Sequence, residues 1–454
     1  MRRPAALALV LALTAACAGL FARTEDPRLE SWKAQASELR GLEFESSVRL
    51  EWVPASAFPE VIRAELGNTF APESARRYRD GYAALGVFPA ELDLVETMIA
   101  LQSQAIAGLY SPHRRTLFVL DSLAGGTKGD DLGQSQIVVH ELVHALQQQH
   151  FSETLELLIR LRRQDDVVGA LAAAVEGDAT FAMLGVREAV HGAGGRDEAT
   201  AATVRESMLA ERTRAGGPLA SAPRLLRESL IFPYAQGTPL TAARFAEASF
   251  AGLDAALRDP PLSTARVLAP DDGDPVEFVR LPQALLAERL APRGCMLGDD
   301  NVAGALTLQV LFDTYGSSAD VASLIRGWSG DRFLQIDCVE TWELVWLTRW
   351  DSLEDASRFA SAYREIADSI AKNAKLSGTP EVLVRDRTAL VVTPGLREHA
   401  DAILASSEIR PYPRYADWRS DDCFPESPCP VADESWAILP LRAPVAQLDR
   451  AADF

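Results

Sequence analysis

The sequence predicts an α+β fold: a mostly helical region with a small edge sheet over residues 24–270, then a C-terminal α+β domain over 275–408. Three observations carry this. Apolar residues recur every three or four positions through 60–104 and again from 137 to about 190, the spacing of helices that bury one face. Among those helices stand only two short β-rich stretches, Ser47–Val53 and Thr116–Leu120. From Phe333 to Ser406 the pattern becomes strand, strand, helix, strand, strand, helix, which closes a small sheet of its own. With 454 residues, 48% hydrophobic and 24% charged, the chain can bury a sizeable core.

The N-terminus comes first. Arg2 and Arg3 precede an apolar run, Ala5–Ala16, that suits the core of an export signal and is too short to anchor in a bilayer. Residues 1–22 are therefore expected to be a signal peptide or a lipoprotein signal. Cleavage after Ala16-Cys17-Ala18 gives the first. Leu13-Thr14-Ala15-Ala16-Cys17 resembles a bacterial lipobox and gives the second, with lipid on Cys17 and Thr14 where that motif carries Leu or Val. Either way the mature protein is expected to be exported, periplasmic or extracellular, touching a membrane only through a lipid on Cys17. Cysteine usage fits an oxidising compartment: Cys295, Cys338, Cys423 and Cys429 remain, none in a C-x-x-C pair, and Cys423 with Cys429 is the expected disulfide. The net charge of -19 and pI near 4.9 exclude a basic face for nucleic acid.

Next come helices over Glu60–Leu66, Glu73–Leu85 and Glu91–Gln104. Gly108-Leu109-Tyr110-Ser111-Pro112 reads as a turn leading into Thr116–Leu120. That strand is expected at a sheet edge, open to an extended substrate, or else as an ordinary core strand.

The following helix carries His140-Glu141-Leu142-Val143-His144. Helical pitch puts His140 and His144 one turn apart on one face, where two imidazoles can share a tetrahedral metal. Glu141 lies about 100° round, placed to reach a metal-bound water. Val138, Val139, Leu142, Val143, Ala145 and Leu146 occupy the other side, so one face is expected in the core and the other along a cleft. A hydrolytic zinc site also needs a third ligand. On a continuous helix His150 stands about 15 Å along the axis from His140 and about 80° away, out of reach of the same ion. It could serve only if the helix broke before it, and where metzincins place a Gly this chain has Gln147. The helical run from Leu155 to about Val190, expected to break near Gly169, supplies Glu176 among Leu171, Ala172, Ala173, Ala174 and Val175. A carboxylate in such surroundings needs a partner, and a metal would be one.

At this point the chain resembles a known group. His-Glu-x-x-His with a glutamate on a later helix is similar to the gluzincin branch of zincin metallopeptidases. His140–Phe151 with Val175-Glu176-Gly177-Asp178-Ala179-Thr180 resembles more closely a family of exported bacterial metallopeptidases. Gly108-Leu109-Tyr110, Phe232-Pro233-Tyr234 with Gly237, Pro260–Thr264, Gly327–Arg332 and Trp350-Asp351-Ser352 extend the likeness over Ser47 to Thr393. The resemblance implies a zincin-like catalytic region, zinc (Zn2+) held by His140, His144 and Glu176, Glu141 as general base, and a peptide or protein substrate. Thermolysin-like chains carry an aspartate four residues after the third ligand, where this one has Thr180. Asp178 either orients a ligating histidine or faces solvent, and the outer acceptor stays open. Tyr234 is the candidate oxyanion donor. The rival readings are a non-catalytic zinc-binding envelope lipoprotein and a zinc hydrolase of a non-peptide amide.

Residues 196–223, rich in Gly, Ala and Arg, are expected to be a mobile connection, and a helix opens at Leu230–Gly237 and runs to Leu257. In the C-terminal domain Val302–Tyr315, Ser317–Ile325, Ser352–Lys372 and Leu396–Ser406 read as helices and Gly327–Arg332 as a turn. Trp328, Trp342, Trp346 and Trp350 are expected in the core, and Asp331-Arg332 as a structural ion pair. Residues 409–454 are expected to be an irregular tail. Its segment Val445–Ala451 resembles translation through a neighbouring RNA gene and is expected to be dispensable.

Overall fold

The computed structural model describes residues 26–67, 72–124, 131–161, 163–192, 195–214, 216–270 and 277–415. The expected export signal, Cys17, Cys423, Cys429 and Val445–Ala451 lie outside them. The fold is α+β.

The chain begins with α1 (Leu29–Arg40), β1 (Arg49–Val53), α2 (Phe58–Gly67), α3 (Pro72–Leu85) and α4 (Leu94–Ala105). Asp93 caps α4 by accepting from Glu96 N–H. There follow β2 (Gly108–Ser111), β3 (Thr116–Leu120), α5 (Asp131–His150), α6 (Ser152–Arg160), α7 (Asp165–His191), α8 (Glu198–Arg214), α9 (Gly217–Ser221), α10 (Arg224–Arg258) and α11 (Thr264–Leu268). The C-terminal part holds β4 (Glu277–Arg280), α12 (Gln283–Leu290), β5 (Met296–Asn301), α13 (Gly304–Tyr315), α14 (Val321–Arg326), β6 (Trp328–Asp337) and β7 (Trp342–Trp350). It closes with α15 (Leu353–Asn373), β8 (Glu381–Arg385), β9 (Thr388–Val392), α16 (Ala400–Ser406) and β10 (Glu408–Pro411). Strand orders are β1-β3-β2, β10-β4 and β5-β6-β7-β9-β8.

Several expectations need correction. Residues 108–111 form a strand, and it is β2 rather than Thr116–Leu120 that lies at the edge; β3 is central, parallel to β1 and antiparallel to β2. Residues 198–214 are helical because Ala, Glu and Arg are strong helix formers, which outweighs the flanking glycines. α7 runs unbroken through Gly169; the break falls earlier, after Leu161. α10 begins before Leu230, tolerates Pro233 and Pro239, and is interrupted at Ala248 and Ser249. Residues 328–332 belong to β6, with a bulge between Trp328 and Gly330. The tail starts with a strand, since β10 pairs antiparallel with β4. The described disulfide is Cys295–Cys338.

The two largest cores hold most of the helices and sheets in place. One runs across the boundary near 270–275: Tyr78 and Tyr82 of α3 share it with Phe333, Trp346 and Trp350 of the five-stranded sheet and Phe359 of α15. All four tryptophans of that region are buried. Asp331 and Arg332 are not paired with each other: Asp331 accepts from the N–H groups of Ala303 and Gly304 and from Trp346 Nε1, and Arg332 binds Asp300. The second core wraps α5: Trp32 and Leu39 of α1, Leu117 and Val119 of β3, Ala179 and Met183 of α7, and Tyr234 of α10 pack around Val138, Val139, Leu142 and Val143. α7 is long and apolar enough to cross a membrane over Asp165–Ala189, yet the most apolar 18 residues of that stretch are buried inside the protein.

Candidate metal centre

α7 and α10 approach each other at backbone distance, and α5 packs its apolar side chains against α7. At the crossing of α7 and α10, a Cβ on Gly177 would sit 2.3 Å from Gly237 C, and one on Gly237 would sit 2.0 Å from Ala173 O. Only glycine fits either position, and Glu176 is the residue next to this contact. On the other flank of α5, a Cβ on Gly108 would meet Ile137 and Glu141 at 2.9 Å, so Gly108 lets β2 lie directly on the helix.

The consequence is a triangle of donor atoms. His140 Nε2 lies 3.2 Å from Glu176 Oε2, His144 Nε2 lies 3.2 Å from the same oxygen, and the two imidazole nitrogens are 3.2 Å apart. Donors at about 2.0–2.1 Å from one zinc are about 3.3–3.4 Å apart at tetrahedral angles, so the three atoms fit a single ion with one position left over. Glu176 is fully buried, and its Oε1 has no hydrogen-bond partner among the described residues. Such a charge needs a counter-ion. In the metal-free state the histidines supply it. Burial raises the Glu176 carboxyl, but the His144 charge and hydrogen bonds from both imidazoles overcome it and hold the group at about 2. Burial likewise opposes charge on His144, and the adjacent Glu176 carboxylate wins, lifting that imidazole to about 9.

Glu141 sits beside this triangle. Its Oε2 accepts from Tyr110 N–H at 2.7 Å, a donor on the outer edge of β2. Burial pushes its carboxyl up, against the charges of His140 and His144 and the Tyr110 N–H. Tyr234, 1% exposed, places its ring 6.1 Å from the His140 ring, one turn before Gly237. His150 is elsewhere: its Nε2 meets Glu43 O at 2.7 Å. The helix does not present an open cleft face. His140 and Glu176 are buried, and only His144, with 12% of its side chain accessible, reaches the surface. One turn beyond it a cavity of about 540 Å3 opens between Gln148 and Gln149 of α5, Pro112 and His113 of the β2–β3 turn, and Leu155 of α6.

Three residues were not assigned from the sequence. Gln147, three after His144, receives its Nδ1 at 2.7 Å and donates at 2.9 Å to Asp178 Oδ2 and to Val175 O. Asp178 is buried and bound by Arg40 Nε at 2.9 Å; Arg40 also meets Asp254 at 3.0 Å. Asp178 thus neither touches a ligating histidine nor faces solvent. The i, i+3 spacing of His144 and Gln147 was the available signal. Arg40, 138 residues from Asp178, left none.

One family model matches, described as "Domain of unknown function (DUF8575)", over residues 289–407. That stretch lies in the C-terminal part and contains none of the triangle. No curated protein and no solved structure matches the chain.

Proposed function

We propose that the protein is an exported zinc-dependent metallopeptidase of the gluzincin kind, cleaving peptide or protein substrates at the centre formed by His140, His144 and Glu176. The observation that carries this reading is the 3.2 Å triangle of donors with a carboxylate of raised pKa next to it. When bound, zinc supplies a water whose pKa falls toward about 7 and a Lewis acid for the scissile carbonyl. Glu141 takes the proton from the attacking water and passes it to the leaving amine. Burial suits it to that task by raising its basicity above that of an ordinary carboxylate. The Tyr110 N–H holds Oε2 and leaves Oε1 for the proton. Tyr234, packed on His140, is the oxyanion donor in this reading. Export is supported by the apolar run after Arg2-Arg3 and by the Cys295–Cys338 disulfide.

The burial of His140 and Glu176 favours one rival, a closed zinc site without catalysis. Glu141→Gln separates the two. Under the peptidase reading the purified variant keeps one zinc per chain and loses cleavage of unfolded substrates by about 100-fold or more. A variant that turns over substrate like the parent, or a parent that binds zinc and cleaves nothing, sinks the proposal.

A further inference from the structure

The polar groups behind His144 form a connected line. His144 Nδ1 meets Gln147 Oε1 at 2.7 Å, Gln147 Nε2 meets Asp178 Oδ2 at 2.9 Å, and Asp178 Oδ2 meets Arg40 Nε at 2.9 Å. The direction of the first bond follows from the others. Gln147 Nε2 faces two acceptors, the Asp178 carboxylate and the Val175 carbonyl, so turning the amide over would set its oxygen against both. The oxygen must therefore point at His144, and His144 Nδ1 must carry the hydrogen. The guanidinium of Arg40, wholly buried between Asp178 and Asp254, donates to Asp178 Oδ2 and so fixes the carboxylate that Gln147 meets.

We infer that Gln147, held by Asp178 and Arg40, is a positioning residue that fixes the Nδ1–H form of His144 and so presents its Nε2 lone pair to the metal. Direct carboxylate or carbonyl contacts more often do this for a ligating imidazole. Here a neutral amide stands between the imidazole and the acid. The line also fastens α5 to α7, the two helices that supply the three donors, and reaches α1 at its far end. His140 lacks such support: its Nδ1 has no hydrogen-bond partner among the described residues. The inference rests on the metal-site reading, and its test is chosen so that the two fail separately.

The experiment compares zinc affinity, by competition with a chelator, with the 15N imidazole signals of His144. Gln147→Leu keeps the bulk and removes the acceptor. The expected result is a 10- to 100-fold loss of zinc affinity in Gln147→Leu, with the protected Nδ1–H proton gone. Circular dichroism and a thermal melt establish that each variant is folded. Should Gln147→Leu fail to fold, Arg40→Lys keeps the buried charge but breaks the guanidinium contact, and a several-fold loss of zinc is expected. Gln147→Leu binding zinc within twofold of the parent, or keeping the protected Nδ1–H proton, overturns the inference. If His144→Ala leaves zinc binding intact, the metal site itself is wrong. The positioning by Gln147 is then decided on the neutral imidazole signals of the metal-free protein: Nδ1–H in the parent upholds it, and Nε2–H refutes it.

Discussion

Replacing Gly237 by alanine adds one methyl group whose nearest neighbours include no donor atom, yet it acts on the metal centre through the helix crossing. The new Cβ would stand 2.0 Å from Ala173 O and 3.1 Å from Gly177 Cα, where ordinary contact begins at 3.4 Å. Relief of the first contact therefore requires α7 and α10 to separate by about 1.4 Å, the difference between those distances. Overpacking of this kind costs about 1–3 kcal/mol, or more where backbone must move. Glu176 adjoins Gly177 on the moving helix, so the 3.2 Å contacts to both histidines open by a comparable amount. Zinc coordination tolerates only a few tenths of an ångström, so affinity is expected to fall by at least tenfold. Denaturant unfolding of the metal-free protein reads the first quantity and chelator competition the second. Loss of stability with unchanged zinc affinity would show that the crossing does not set the position of Glu176. No change in either would refute the packing argument altogether.

Two further outcomes concern protons. His144 carries a proton up to about 9 in the metal-free state, and a metal must displace it from Nε2; zinc affinity should therefore rise with pH between about 6 and 9, with close to one proton released per zinc, measured by calorimetry in buffers of different ionisation enthalpy, and a pH-independent affinity would contradict this. Asp166, fully buried at the start of α7 and bonded by the backbone N–H and hydroxyl of Thr264, has its carboxyl raised by burial from 3.8 to about 7. Because the folded state holds the proton more tightly, this group stabilises fully below about pH 4, and that contribution, at most about 4 kcal/mol, is lost as pH rises toward 7. Asp166→Asn should flatten the decline in unfolding free energy between pH 5 and 8, and an unaltered slope would count against the assignment.

Local pattern served well wherever one face of an element meets one partner. Helices α2, α3, α4 and α15 and strand β1 lie close to where apolar periodicity puts them. It failed where burial is two-sided or where glycine does two jobs. Gly108 and Gly330 read as turn residues, but both sit in strands because a neighbouring element presses against the missing Cβ. Gly169 read as a break, although a helix buried on all sides keeps its hydrogen bonds through such a residue. At the site, His140, Glu141 and His144 could be found from spacing alone, because their geometry is fixed within one helix. Glu176 could be suspected from a lone carboxylate in an apolar run. Arg40 could not, since nothing near it in sequence hints at a partner 138 residues away.

The sequence by itself determined the chemistry on offer: two imidazoles on one helical face, a carboxylate beside them, and another buried in an alanine-rich helix that needs a counter-charge. Those properties are local, set by helical pitch and by the cost of burying charge. Only the tertiary structure decided that the three donors form a 3.2 Å triangle, that β2 rather than β3 stands at the sheet edge beside Glu141, and that Gln147, Asp178 and Arg40 stand behind His144. These depend on how closely α5, α7 and α10 approach; at the α7–α10 crossing that distance is set by Gly177 and Gly237, whose effect exists only when the helices cross.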